Sequence, residues 1–83
     1  MNVTLFVKAG CHLCEAAWRE LEGLRRRYPH QLQVVDITSD PRLEQQYGER
    51  IPVLRVGGAE YSAPLPRQAL ERALRSAAGQ ANR

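Results

Sequence analysis

Long apolar runs and targeting features are missing from this sequence. No segment approaches the roughly 18 consecutive apolar residues that a membrane span requires. The N-terminal residues lack the basic region, the long apolar region and the small-residue cleavage site of a secretory signal. These absences predict a cytoplasmic protein that has no membrane partner.

Cysteine is scarce as well. The chain has only two cysteines, Cys11 and Cys14, and a bridge between them would close too short a loop to stabilise a secreted disulfide scaffold. The pair is therefore better suited to being opened and closed than to holding a fold together.

Lysine is nearly absent, so positive charge comes from arginine. Lys8 accompanies eleven arginines, and the formal net charge is +3. The arginines are spread along the chain, and their one run, Arg25–Arg27, is predicted at a helix end, where cations interact favourably with the helix dipole. Few aromatic side chains are present to stack on bases, so nucleic acid is not expected as a partner.

The length of the chain limits its organisation. At 83 residues we expect a single domain, residues 1–83, with a compact core and no insertions. No internal repeat, linker or low-complexity segment is seen, and we expect a monomer.

Hydrophobic periodicity predicts seven elements in the order βαβαββα. In chain order they are a strand Val3–Val7, a helix from Cys11 or His12 to Tyr28, a strand Leu32–Ile37, a short helix to about Tyr47, a hairpin of strands Val53–Val56 and Ala59–Ser62, and a helix after Pro66 whose tail frays from Gly79. A right-handed crossover makes the first two strands parallel, and the hairpin adds two antiparallel strands. The expected fold class is α/β, with a four-stranded mixed sheet and flanking helices.

The first helix has one apolar stripe. Cys14, Ala17, Trp18, Leu21 and Leu24 recur at steps of three and four residues. We therefore expect Trp18 to lie in the core and to hold the helix against the sheet.

The two cysteines stand three residues apart where the first strand gives way to the first helix. This spacing is typical of a redox dithiol, because two sulfurs can meet across one helical turn. Cys11 lies at the helix start, where free N–H groups and the dipole stabilise a thiolate, and Lys8 and protonated His12 could add positive charge. Glu15 opposes them, and on balance we expect the pKa of Cys11 to be lowered. Cys11 is then the nucleophile, and Cys14, on the apolar stripe, is the resolving thiol.

The chain resembles the glutaredoxins, which have the minimal thioredoxin fold, and especially the small bacterial glutaredoxin-like proteins. Three segments support this resemblance over almost the whole chain: Lys8–Cys14, Asp36–Asp40 leading to Tyr47-Gly48, and Arg50–Leu54. It implies a thiol–disulfide oxidoreductase that reduces protein or glutathione mixed disulfides, with glutathione as a co-substrate and no bound cofactor or metal.

The resemblance also implies which residues bind substrate. A cis-proline is expected at Pro52, next to the dithiol, with the backbone of Ile51 free to pair with an extended thiol substrate. Lys8 matches the lysine that glutaredoxins use to hold glutathione, and Arg50 could pair with a carboxylate of the substrate. His12 is expected to tune the potential, and Leu13 to contact substrate at the rim.

Two features depart from the glutaredoxin pattern. Leu13 replaces the aromatic residue between the cysteines, and Ser62–Leu65 stands where glutaredoxins have a Gly-Gly-Cys-Asp-like segment. An anchor for the γ-glutamyl end of glutathione is therefore missing, and this favours a protein disulfide or a specialised partner.

Two other classes of function stay open from the sequence. The cysteines could hold a metal ion or an iron–sulfur cluster, with His12 or His30 as further ligands, although a closed zinc site would need all four. Alternatively, the chain is a thioredoxin-like scaffold that has lost turnover. The physiological substrate, electron donor and reduction potential are not readable from the residues.

Overall fold

The protein is a four-stranded sheet with helices on both faces, described by a computed structural model over residues 1–81. In chain order its elements are β1 (Asn2–Val7), α1 (His12–Gly23), β2 (Gln31–Asp36), a 3₁₀ turn (Ile37–Ser39), α2 (Pro41–Tyr47), β3 (Val53–Val56), β4 (Ala59–Ser62) and α3 (Arg67–Ala81). The predicted order βαβαββα is confirmed, and the 3₁₀ turn is an addition.

The sheet has the strand order β2-β1-β3-β4. β1 pairs with β2 in parallel and with β3 in antiparallel fashion, and β3 pairs with β4 in antiparallel fashion, as predicted. The N-terminal end of β3 therefore lies beside the C-terminal end of β1, where Phe6 is opposite Val53. The segment directly after β1 and the segment directly before β3 therefore lie at the same end of the sheet.

Each face of the sheet has its own hydrophobic core. The larger core joins β1 and β3 to α1 and α3 and comprises Val3, Leu5, Ala17, Leu21, Leu24, Leu54, Val56, Leu70, Ala73, Leu74 and Ala77. The smaller core lies under α2 and comprises Phe6, Ile37, Tyr47 and Val53. The alternation of Leu5 and Phe6 between the two faces follows from the period of two in a strand.

Two helix ends differ from the sequence expectation. α1 ends at Gly23, five residues before Tyr28, because the chain tightens at Leu24, whose N–H donates to the carbonyls of Glu20 and Leu21. The arginine run therefore lies in the turns after the helix. α3 continues through Gly79 to Ala81 and does not fray at Gly79, while Asn82 and Arg83 lie outside the described residues.

The expectation that Trp18 lies in the core is wrong. Its side chain is 44% exposed, although its neighbours on the stripe, Ala17 and Leu21, are 1% and 0% exposed. α1 packs on β1 and α3, and Trp18 lines a groove between α1 and β2 instead of joining the larger core. Within residues 1–81, no helix is long and apolar enough to cross a membrane.

Candidate functional site

The two cysteines lie at the junction of β1 and α1. Gly10, with a φ of 79°, makes a left-handed step in the turn between β1 and α1, and the N–H of Cys11 donates to the carbonyl of Lys8 at 3.3 Å. Cys11 then takes the N-cap position of α1 with extended backbone angles. The sequence folds this way because glycine adopts positive φ without the steric cost that a side chain would bring.

The sulfurs of Cys11 and Cys14 lie at disulfide-bonding distance, and their Cα atoms are 5.2 Å apart. The N–H of Cys14 donates to the sulfur of Cys11 at 3.1 Å, so Cys11 caps the helix through its side chain. Cys11 is half-buried, whereas Cys14 is only 2% exposed. The two thiols therefore occupy different environments, with Cys11 facing outward and Cys14 facing the core.

The residues between the cysteines project into solvent. The side chain of His12 is 96% exposed, and its Nδ1 lies 3.8 Å from a carboxylate oxygen of Glu15, an ion pair only when the imidazole is protonated. Leu13, a large apolar side chain, is 65% exposed. Both side chains are therefore accessible to a partner at the dithiol.

Ile51 and Pro52 lie at the same end of the sheet as the cysteines, because they directly precede β3. The peptide bond between them is cis, Pro52 is buried, and Ile51 packs on the smaller core. The pairing of β3 with β1 thus places the Ile51–Pro52 segment and the Cys11–Cys14 segment at the same end of the sheet.

Arg50 is engaged with β4. Its Nε donates to the hydroxyl of Ser62 at 3.0 Å, its Nη2 lies 3.4 Å from Glu60, and its guanidinium stacks over the ring of Tyr47 at 5.4 Å. Its carbonyl also accepts from the N–H of Ala63 at 3.1 Å. Arg50 therefore ties β4 to the segment before Pro52, and its binding of a substrate carboxylate stays a prediction.

Lys8 and Cys14 line a groove between α1 and the end of β2. The groove has a volume of about 340 Å³, and it is lined by Val7, Lys8, Ala9, Gly10, Cys14, Glu15, Trp18, Val34 and Asp36. Sequence reasoning missed Trp18, Val34 and Asp36 as neighbours of the dithiol. The strand order could have revealed these neighbours. Because the hairpin pairs on one side of β1, β2 is left as the edge strand on the other side, next to α1.

Asp36 is held as a carboxylate at the rim of this groove. The hydroxyl and the N–H of Thr38 donate to its Oδ1 at 2.7 and 2.9 Å. These bonds, together with the nearby ammonium of Lys8, hold the pKa of Asp36 below its usual range.

His30 does not come near the cysteines. It precedes β2, which runs parallel to β1, so it lies a strand length, roughly 20 Å, from the segment that follows β1. Its side chain is buried, and its Nδ1 lies 2.6 Å from the carbonyl of Tyr28. Among residues 1–81, no group of three or more histidine, cysteine or acidic residues could hold a metal ion.

Comparison with known proteins identifies relatives of this chain by sequence. A family model described as a glutaredoxin-like domain (DUF836) matches residues 2–75. An uncharacterized protein of Mycobacterium tuberculosis is 29% identical over 66 residues, which are 74% of this chain and 68% of that protein.

Solved structures agree with this match. An X. campestris protein is 36% identical, with a TM-score of 0.78 over 90% of this chain and 97% of its own. The glutaredoxin-like NrdH-redoxin of Escherichia coli is 18% identical, with a TM-score of 0.64 over 87% of this chain and 93% of its own. The latter likeness shows the fold alone, and it confirms the predicted minimal thioredoxin fold. Because the family model spans most of its length, the chain belongs to the glutaredoxin-like domain family.

Proposed function

We propose that the protein is a thiol–disulfide oxidoreductase in which Cys11 is the nucleophile and Cys14 the resolving thiol. The observation that carries this proposal is the difference between the two sulfurs. Cys11 is half-buried at the helix start and accepts the N–H of Cys14 at 3.1 Å, whereas Cys14 is 2% exposed. A donor aimed at the sulfur and the positive end of the helix dipole both stabilise a Cys11 thiolate in the reduced protein.

The first step is attack of this thiolate on a disulfide of the substrate. A bond forms between Cys11 and one substrate sulfur, the substrate disulfide breaks, and the second substrate sulfur leaves as a thiolate that takes a proton from solvent. The product is a mixed disulfide on the outward-facing sulfur, where a bulky partner can be accommodated.

The second step releases the reduced substrate. Cys14 loses its proton and attacks Cys11, the Cys11–Cys14 disulfide forms, and the remaining substrate sulfur leaves as a thiol. Two electrons have then passed from the protein to the substrate. An external dithiol, or two molecules of a monothiol such as glutathione, must return them before another cycle.

We propose protein disulfides as the preferred substrate, with glutathione as a weaker co-substrate. The backbone at Ile51 would pair with an extended substrate segment, and Lys8, His12 and Leu13 would contact it around the dithiol. The exposed apolar Leu13 suits a protein surface better than a small charged tripeptide. We expect the protein to act as a monomer in a reducing, cytoplasmic environment without a bound cofactor.

Cysteine variants test the assignment of roles. Wild type, Cys11→Ser and Cys14→Ser are incubated with a peptide disulfide and, separately, with a peptide–glutathione mixed disulfide, and quenched samples are analysed by mass spectrometry. We expect turnover at the background rate in Cys11→Ser, because no sulfur can attack, and a trapped adduct on Cys11 in Cys14→Ser, because no thiol resolves it. Wild-type turnover in Cys11→Ser would contradict the mechanism.

The same experiment separates the remaining alternatives. Faster wild-type turnover of the peptide disulfide supports the protein-disulfide preference, whereas faster reduction of the glutathione adduct contradicts it. No turnover of either substrate by wild type, with wild type folded by circular dichroism, would identify an inert scaffold. Visible absorbance or bound metal in the purified protein would favour a cluster or metal site.

A further inference from the structure

Trp18, the only tryptophan of the chain, separates two grooves on the surface of α1. On one side is the 340 Å³ groove that leads to Cys14, and on the other is a groove of about 350 Å³ lined by Glu15, Trp18, Arg19 and Glu22. The indole is 44% exposed. Tryptophan is enriched among the residues that contribute most of the binding energy at protein interfaces.

The groove that leads to Cys14, which we call the Trp18 groove, has more negative than positive charge. Glu15 and Asp36 line it against a single cation, Lys8, although the protein as a whole has a net charge of +3. The side chain of Glu15 is 59% exposed, and Asp36 is exposed as well, although its Oδ1 accepts two hydrogen bonds from Thr38. The carboxylates are thus available to a partner beside an aromatic ring.

An indole next to carboxylates is suited to one chemical class of side chain. Lysine and arginine have apolar stems that pack on an aromatic surface and charged heads that interact with both the ring and the carboxylates. An acidic side chain would be repelled by Glu15 and Asp36, and an apolar side chain would form no ion pair with them. Charge complementarity therefore selects a basic residue as the occupant.

We propose that the Trp18 groove binds a lysine or arginine side chain of the protein whose disulfide is reduced at Cys11, a specificity that rests on the proposed function. Cys14 and Gly10 line the groove, and Gly10 directly precedes Cys11 in the chain, so the groove lies beside the dithiol. The basic residue would lie a few positions from the attacked cysteine in the substrate chain. The enzyme would then prefer disulfides in a basic local sequence.

Turnover of matched peptides tests this preference. Three peptides have the same single cysteine in the same mixed disulfide and differ only in flanking residues, which are arginine, glutamine or glutamate. For wild type we expect kcat/KM for the arginine peptide to exceed that for the glutamate peptide roughly tenfold, the combined effect of one cation–π contact and one partly exposed ion pair.

Variants of the groove residues test whether the preference for the arginine peptide arises at the Trp18 groove. In Trp18→Ala and in Asp36→Asn the arginine-to-glutamate ratio is expected to fall to about two- or threefold, because each variant removes one of the two contributions. Glu44→Gln serves as a control, because it removes a carboxylate from the first turn of α2, on the opposite face of the sheet. It should retain the wild-type ratio.

A binding measurement keeps this inference distinct from the proposed function. The same peptides with serine in place of cysteine are titrated while the fluorescence of Trp18 is recorded. We expect the arginine peptide to bind several-fold more tightly than the glutamate peptide, and added salt to reduce the difference.

The outcomes distinguish the two proposals. Turnover of all three peptides at one rate, with equal binding, would overturn the groove assignment and leave the oxidoreductase intact. Basic-selective binding that depends on Trp18, without turnover of any peptide, would support the groove and contradict the oxidoreductase. A change in fluorescence with protein concentration alone, together with dimers in sedimentation, would make a second copy of the chain the occupant and overturn the proposal.

Discussion

Tyr47 shows how one side chain supports the segment that precedes Pro52. Its ring stacks on Phe6 with centroids 4.3 Å apart, and its hydroxyl donates to Oε2 of Glu60 at 2.6 Å. The N–H of Arg50 donates to the carbonyl of Tyr47 at 2.8 Å. A buried aromatic with a satisfied hydroxyl thus joins the end of α2 to both β1 and β4.

The bond between Tyr47 and Glu60 makes stability depend on pH. It lowers the pKa of Glu60 and raises the pKa of Tyr47, each chiefly through this hydrogen bond. Stability from the lowered carboxyl pKa is present above the unfolded pKa of about 4.3 and is lost as pH falls through the folded value. Stability from the raised phenol pKa is present below about 10 and is lost as pH rises through the folded value.

Tyr47→Phe should therefore lower the free energy of unfolding by about 1 kcal/mol at neutral pH, a small value because Glu60 is partly exposed. The difference from wild type should shrink in strong acid and in strong base. Urea titrations followed by circular dichroism across the pH range measure it. Tyr61→Phe is the control, because its hydroxyl has no hydrogen-bond partner within the described part of the chain; a constant difference for Tyr47→Phe would contradict the prediction.

At single positions the sequence predicted which side chains meet better than it predicted their exposure. The proximity of Cys11 and Cys14 followed from their spacing, because two cysteines three residues apart at a helix start can bring their sulfurs together. Trp18 lies on the same stripe as Cys14, yet it is exposed at a groove between α1 and β2, which the periodicity of α1 alone does not reveal. The engagement of Arg50 by Ser62 and Glu60 was also beyond sequence reasoning, since it requires the register of β3 against β4.

Among the elements, the hairpin was predicted most closely. Its strands have the predicted bounds, because Gly57 and Gly58 adopt the positive φ values, 59° and 80°, that a tight two-residue turn requires. The end of α1 was predicted poorly. Its apolar stripe continues to Leu24, which is buried, so periodicity cannot distinguish the last helical residues from a turn that buries the same side chain.

Gly57 and Gly58 both have positive φ, but their neighbours differ. A Cβ at Gly57 would lie 3.1 Å from Cβ of Ala77 and 3.2 Å from Oε1 of Gln80, whereas a Cβ at Gly58 would meet nothing within 4 Å. The tip of the hairpin therefore packs closely on the last turns of α3 only at Gly57.

Alanine at each position should separate the backbone cost from the packing cost. Gly58→Ala should destabilise the protein by about 1 to 2 kcal/mol, the cost of a side chain at positive φ. Gly57→Ala should lose roughly 1 kcal/mol more, because the methyl group must displace part of α3. Urea unfolding of both variants measures the difference, and equal losses would show that α3 yields freely at this contact.

On the scale of the whole molecule, the two central strands contribute side chains to both hydrophobic cores. β1 contributes Val3 and Leu5 to the larger core and Phe6 to the smaller one, and β3 is divided in the same way. The end of the molecule that holds the cysteines is built on these two strands, since Cys11 follows β1 and Pro52 precedes β3. Loss of either core should therefore loosen the dithiol and the Ile51–Pro52 segment together.

This sharing predicts one cooperative unfolding transition, as expected of a single domain over residues 1–83. Leu21 is fully buried in the larger core, and Leu21→Ala should destabilise the protein by about 2 to 5 kcal/mol. Far-UV circular dichroism, Trp18 fluorescence from α1, and tyrosine absorbance, which includes Tyr47 under α2, should shift to the same new midpoint.

Leu43→Ala provides the matched comparison on the other face. Leu43 is partly buried and packs against the smaller core, so its truncation should cost less free energy but should again move all three probes together. A Leu21→Ala variant whose Trp18 signal shifts while the tyrosine signal stays would show that the two cores unfold separately. The dithiol would then depend on the larger core alone, because α1 carries Cys14 and packs with it on that face of the sheet.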